Sequence, residues 1–178
     1  MKKLLALGAS TSSGSINREL AAFAASQVAG AEVTELDLSS YQLPIYSADE
    51  EEENGAPADA GAFLETIRAH DGVVISMAEH NGSYTAAFKN LYDWTSRLDQ
   101  KVWSDKPMLL LATSPGGRGG ATVLEAAKAT FPRMGAKLVA SFSLPSFYDN
   151  FSSEEGVTDA GLRAGLEAAI AEFATALD

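Results

Sequence analysis

Five apolar runs of strand length alternate along this chain with stretches whose apolar residues return at helical spacing. No other feature constrains the fold as tightly. The runs are Lys3 to Gly8, Glu32 to Leu38, Val73 to Met77, Met108 to Thr113 and Lys137 to Phe142. Three of them have the near-continuous apolar character of strands covered on both faces. The second alternates more and reads as an edge. Between them Leu20, Phe23, Ala24 and Val28 recur at helical spacing, as do Phe63, Leu64 and Ile67, then Phe88, Leu91 and Tyr92, then Val123, Leu124 and Ala127. A last helix is predicted from about Asp159 to Leu177.

Strands that alternate with helices build βαβ units and a parallel sheet. Right-handed crossovers turn such a chain into an α/β three-layer sandwich, and five parallel strands fit the flavodoxin-like order 2-1-3-4-5. At roughly 150 residues per domain, 178 residues make a single domain spanning 1–178. In that order a ligand site belongs outside the carboxyl ends of the strands, where the first and third strands send their following loops in opposite directions. The loops after Gly8, Met77 and Thr113 are therefore the ones to read for chemistry. Asp49 to Glu53 is the one charge run and reads as a solvated acidic loop.

Composition narrows the functions. A net charge of −11 repels phosphate backbones and anionic lipid surfaces, so neither nucleic acid nor membrane is an expected partner. With no cysteine and only His70 and His80, thiolate chemistry and a histidine-rich metal site are excluded. The opening Met1-Lys2-Lys3-Leu4-Leu5-Ala6-Leu7 imitates a signal peptide only until Gly8 interrupts it. No run approaches the roughly 18 apolar residues of a membrane helix, and a cytoplasmic protein is expected.

The first loop, Ser10-Thr11-Ser12-Ser13-Gly14-Ser15-Ile16-Asn17, runs from a strand straight into an amphipathic helix. Unpaired N–H groups, a positive dipole end and small hydroxyls suit one phosphomonoester. The same residues also read as a helix cap at Ser15 or Asn17 with ordinary loop solvation, and the residues alone leave both open. A nucleoside-triphosphate loop is excluded, since position 13 is Ser13 rather than glycine and no lysine follows. The second loop, Ala78-Glu79-His80-Asn81-Gly82-Ser83-Tyr84, offers backbone donors for a planar ligand and flat side chains in His80 and Tyr84. Phe88 and Trp94 behind it read as core. The third loop, Ser114-Pro115-Gly116-Gly117-Arg118-Gly119-Gly120, has four glycines in five positions, which implies either close backbone approach to something or a mobile loop. The dinucleotide fingerprint GxGxxG fails there at Thr122.

Taken together, these segments resemble the NAD(P)H-dependent FMN reductase family over roughly the whole chain. The resemblance rests on Gly14-Ser15-Ile16-Asn17-Arg18, on Asp37-Leu38 followed by Leu43-Pro44-Ile45-Tyr46, on Glu79-His80-Asn81-Gly82-Ser83 leading to Lys89-Asn90 and Asp93-Trp94, and on Ser114 with Gly119-Gly120. It implies that Ser10, Ser12, Ser15, Ile16 and Asn17 hold the FMN phosphate. It further implies that Glu79, His80, Asn81, Gly82 and Ser83 meet the ring, and that Ser114 and Gly117 complete the pocket. The family commonly has an arginine where Ser12 stands, a proline at Ala78 and a tyrosine at His80, so weakened phosphate binding is expected.

The implied activity is ping-pong transfer of hydride from NADPH or NADH through FMN to a small acceptor such as a quinone, azo compound, flavin or metal oxyanion. Arg118, Arg97 or Lys89 would attract the nucleotide phosphates. A flavodoxin-type electron carrier and a cofactor-free binding module of the same fold are the alternatives. A homodimer or homotetramer is expected, from the resemblance and from the aromatic-rich segment Phe142 to Phe151, which can equally cover its own core.

Overall fold

The computed structural model describes residues 1–178. Its elements are β1 (Lys2–Gly8), α1 (Ile16–Ser26), β2 (Ala31–Leu36), α2 (Ala48–Asn54), α3 (Ala58–Arg68), β3 (Gly72–Met77), α4 (Ala86–Leu98), β4 (Pro107–Thr113), α5 (Ala121–Thr130), β5 (Lys137–Leu144), α6 (Phe147–Asn150), β6 (Phe151–Ser152), β7 (Gly156–Val157) and α7 (Ala160–Ala176). The main sheet has the order β2-β1-β3-β4-β5 with every pair parallel. This is the order expected from the alternation of strand and helix. β3, near the middle, is buried along its whole length, whereas β2 at the edge exposes alternate residues.

Apolar side chains on the two faces of the sheet form two cores. One gathers Phe63, Phe88, Tyr92, Trp103 and Phe131 under α3, α4 and α5. The other gathers Leu20, Ala24, Leu166, Ile170 and Phe173 under α1 and α7. Both Phe88 and Trp94 are fully buried, as their spacing predicts. No helix is long and apolar enough to cross a membrane.

Two expectations need correction, and one open reading is narrowed. β2 stops at Leu36, because the Asp37 carboxylate accepts the Ser39 N–H at 2.9 Å and turns the chain into a short 3-10 helix, Leu38–Ser40. The acidic run 49–53 is not a loop. It forms most of α2, whose first turn is capped by Ser47 Oγ accepting from Glu50 N at 3.1 Å, and acids in a first turn suit the helix dipole. None of α2 is buried, so its charges are solvated as expected. Finally, the aromatic segment after β5 turns inward. Phe147 and Phe151 are buried and stacked at 4.7 Å, and Phe151 meets Phe23 edge-on at 5.5 Å. Among its aromatic residues only Tyr148 is exposed, at 71%, and Phe147 and Phe151 cover the chain's own core.

Candidate active site

The loops after β1, β3 and β4 meet in a small polar cleft of about 210 Å3 at the carboxyl ends of the strands. Between β1 and β3 the strand order reverses, which is where a doubly wound sheet opens a crevice. Ser10, Ser12, Ser15, Ile16 and Asn17 line it from the first loop, and Ala78, Glu79 and His80 from the second. Thr113, Ser114 and Pro115 come from the third, and Tyr148 from α6.

The floor is a closed polar network. Asn17 is 3% exposed, and its carboxamide oxygen accepts from Ser76 Oγ at 2.7 Å and from Thr113 N at 3.1 Å. Its Nδ2 donates to the Thr113 carbonyl at 3.2 Å. One side chain thus ties the first turn of α1 to β3 and to the end of β4. Thr113 Oγ1 donates to the Leu144 carbonyl, and Thr85 Oγ1 donates to the Ala9 carbonyl while capping α4. No buried side-chain polar atom lacks a partner, as a water-excluding floor requires.

Above this floor, the first loop both caps its helix and keeps donors in reserve. Ser15 Oγ accepts from Arg18 N at 3.2 Å, so Ser15 is the N-cap. Ser10 Oγ accepts from Ser12 N at 3.2 Å. Both hydroxyls are used as acceptors and keep their protons to donate. The N–H groups of Ile16 and Asn17 open the helix and have no intrahelical acceptor. The carboxamide of Asn17 is committed to the floor, which leaves its N–H as what it presents to the cleft.

In the second loop Asn81 and Gly82 have φ of 53° and 75°. Two consecutive left-handed residues make the tight turn that Asn-Gly favours. His80 N donates to the Ser83 carbonyl at 3.0 Å and Ser83 N returns to the His80 carbonyl at 3.1 Å, which leaves the Asn81 and Gly82 N–H groups unengaged. Asn81, Gly82 and Ser83 are exposed at the side of the cleft and do not line it. The Glu79 carboxylate accepts from Val123 N at 2.9 Å and so caps α5, whose own N-cap is Gly120 with no side chain. Tyr84 provides no flat wall. It is half-buried against Phe88 and Phe131, with its hydroxyl on Thr130 Oγ1 at 2.7 Å, and burial pushes its pKa up.

The third loop is pinned rather than mobile. Its glycines approach the chain's own β5 end: Ser143 Oγ donates to the Gly119 carbonyl, and a methyl on Gly119 would sit 2.9 Å from the Leu144 carbonyl carbon at a φ of 58°. The Gly116 carbonyl accepts from Ser146 N at 2.9 Å and from Ser114 Oγ at 3.1 Å. Gly117 is exposed beside Ser146 and does not line the cleft.

Among the three candidate cations, Arg97 is paired with Glu51 at 3.0 Å. It also stands eleven residues beyond the start of α4, about 16 Å along the helix at 1.5 Å per residue. Lys89 is paired with Asp93 at 2.7 Å. Arg118 has no acidic partner, and donates to Thr122 Oγ1 at 2.9 Å in the first turn of α5. Sequence reasoning missed Tyr148 as a cleft residue, because nothing in an aromatic run says which ring faces out.

A model of the NADPH-dependent FMN reductases matches residues 2–149, most of the chain. The chain belongs to the NADPH-dependent FMN reductase family. A quinone reductase of Escherichia coli K12 is 44% identical over 79 residues, covering 44% of this chain and 42% of the relative. An NAD(P)H-dependent FMN reductase of Pseudomonas aeruginosa is 33% identical over 120 residues, 67% of this chain and 63% of the relative. The matched stretches thus span less than two thirds of either relative. Among solved structures, a flavoenzyme NAD(P)H:(acceptor) oxidoreductase from Paracoccus denitrificans superposes with a TM-score of 0.78 at 24% identity, over 99% of this chain and 97% of that one. A flavodoxin variant from Pseudomonas aeruginosa reaches 0.56 at 21% identity, over 98% of each chain. Ser12 stands on the cleft wall, and no lysine or arginine lines the cleft.

Proposed function

We propose that this chain is an FMN-dependent NAD(P)H oxidoreductase acting on a small acceptor of the quinone, azo, flavin or metal-oxyanion kind. The observation that carries this reading is the set of spare donors around the cleft at the sheet's switch point: hydroxyls of Ser10, Ser12 and Ser15, and N–H groups of Ile16, Asn17, Asn81 and Gly82. Such a set fits FMN, a phosphate at a helix start joined to a flat polar ring. Ser10, Ser12, Ser15, Ile16 and Asn17 would hold the phosphate. Glu79, His80 and the turn at Asn81, Gly82 and Ser83 would flank the ring, with Ser114 and Gly117 closing the pocket.

Bound FMN would supply two-electron redox chemistry, taking reducing equivalents from NAD(P)H in one half-reaction and returning them to the acceptor in the next. The protein's part is position and electrostatics. The unengaged N–H groups of Asn81 and Gly82 offer fixed donors to a ring that gains negative charge. Arg118, the candidate cation without an acidic partner, would draw the nucleotide phosphates toward the same rim. A second copy walling one side of the flavin rests on the resemblance, since the aromatic segment faces inward. A native mass of one 18.7 kDa chain at working concentration would remove that wall.

The test is an absorbance spectrum with and without added FMN, followed by anaerobic NADPH in the same cuvette. A shifted flavin band that bleaches within seconds supports the reductase. A shifted band that NADPH leaves untouched turns the reading to an electron carrier. No change in FMN absorbance or fluorescence turns it to a cofactor-free module.

A further inference from the structure

We infer that Tyr148 is the phosphate-selecting residue of the cleft, its hydroxyl a neutral donor at a phosphate end that no lysine or arginine lines. This rests on the flavin reading of the site. A phosphate end without a cation is unusual for a dianion, and neither neighbouring arginine is aimed at it. Arg18, next along α1, gives one guanidinium nitrogen to the Ser13 carbonyl at 2.7 Å and another to Asp37 at 3.3 Å. Arg118 is on Thr122 and does not line the cleft.

Tyr148 is the one aromatic side chain on the cleft wall apart from the imidazole of His80. The residue is 71% exposed, and its hydroxyl makes no hydrogen bond within the chain. Its backbone, in contrast, is fixed on every side. Ser146 takes a left-handed conformation at φ 47°, an uncommon and costly choice for a residue other than glycine. That turn is held by Ser146 N on the Gly116 carbonyl at 2.9 Å, Phe147 N on the Ser114 carbonyl at 3.1 Å, and Asn150 Nδ2 on the Pro145 carbonyl at 2.9 Å. Phe147 anchors the segment in the core, and the Tyr148 ring meets it edge-on at 5.6 Å. The strained turn thus sets a free phenol on the wall of the cleft that Ser10, Ser12 and Ser15 also line. A phenol there adds a donor to a dianion without charge, and a charge-assisted hydrogen bond from a neutral donor is worth about tenfold or more in affinity.

The consequence is selection of phosphorylated over unphosphorylated flavin by neutral groups alone. Fluorescence titrations of the whole chain with FMN and with riboflavin, for the native protein, Tyr148→Phe and Tyr148→Ala, test it without recourse to turnover. The exposed side chain makes both variants fold, which circular dichroism checks. Tyr148→Phe should weaken FMN about tenfold and leave riboflavin within about twofold. For the native protein, FMN affinity should not fall by more than about threefold as NaCl rises from roughly 50 to 500 mM, because no fixed cation is there to be screened and screening the net charge of −11 can only favour the dianion. Equal losses for both flavins would make Tyr148 a stacking wall and overturn the inference, as would an unchanged FMN affinity in Tyr148→Phe or a steep fall of affinity with salt. If the native protein binds neither flavin, the reading of the cleft itself fails, a distinct result.

Discussion

Two concavities of this molecule share no lining residue, and the larger is the less equipped. Between α1 and α7 lies an apolar groove of about 600 Å3 floored by Val28, Val157, Leu166 and Ile170. It is bordered by the β6–β7 hairpin, with Gly156 packed over the Phe23 ring. Its polar groups are Gln27, Arg163, whose Nε donates to the Val157 carbonyl, and three acids, Glu154, Glu155 and Glu167. The cleft at the strand ends has about a third of that volume, yet three loops and the short α6 converge on it with hydroxyls and helix-opening N–H groups unspent. Size and apolarity are the usual signs of a ligand site. In a doubly wound sheet, the place where crossovers diverge and the donors left over there carry more weight.

The comparison breaks first at Asn17. Replacing it by Ala leaves the Ser76 hydroxyl and both Thr113 backbone groups buried without partners, a loss of about 3 kcal/mol. Thermal melting should show a fall of roughly 10 °C for a chain of this size, with flavin affinity falling as well. An unperturbed melt would mean that the floor is not closed by this side chain.

That same residue shows what was legible beforehand. The alternation of apolar runs was enough to place five strands, their order and the three loops, because burial on both faces leaves its trace in the sequence. Capping was legible too, since Ser15 follows a local rule. The engagement of Asn17 was not, because it joins residues 59 and 96 positions away in the sequence. Glu79 capping a helix other than its own, and Tyr148 turning out while Phe147 and Phe151 turn in, are equally non-local. Local signals name the loops; only packing decides which donors in them are spent.

A second test sharpens the contrast from the other side. Ile170→Ala in the groove, a site 6% exposed, should cost about 2–3 kcal/mol by opening the core further. Flavin affinity, measured on the same sample, should stay within about twofold, because the groove shares no lining residue with the cleft. A coupled loss would mean that the two helix layers communicate through the sheet.

Glu79→Ala has a smaller effect of a different kind. It removes the one side-chain acceptor at the N-terminus of α5, worth about 1 kcal/mol by the usual cost of a lost cap. Denaturant midpoints should fall accordingly with the slope unchanged. Since α5 begins at the end of the third loop, FMN binding should weaken modestly as well. Glu79→Gln keeps the acceptor and should recover most of the stability. If it does not, the charge on the helix dipole matters more than the hydrogen bond.

The smallest effect concerns the brace on the first loop. Asp37 accepts from the Ser39 hydroxyl and N–H and faces Arg18, which in turn holds the Ser13 carbonyl. The Ser39 hydrogen bonds, with a lesser contribution from Arg18, hold its carboxyl below the ordinary value near 3.8. A carboxylate with a depressed folded-state pKa stabilises the protein fully above its ordinary value and loses that contribution as pH falls through the depressed one. Both partners are solvent-screened, so the gain is small at any pH. The difference in melting temperature between the native protein and Asp37→Asn should therefore be slight and flat from neutral pH down to about 4, then close below it. Riboflavin affinity, which is free of phosphate titration, should follow the same profile if Arg18 transmits the brace to the serine loop. A difference that persists to pH 2 would assign the effect to the shape of the Asp37 turn rather than to its charge.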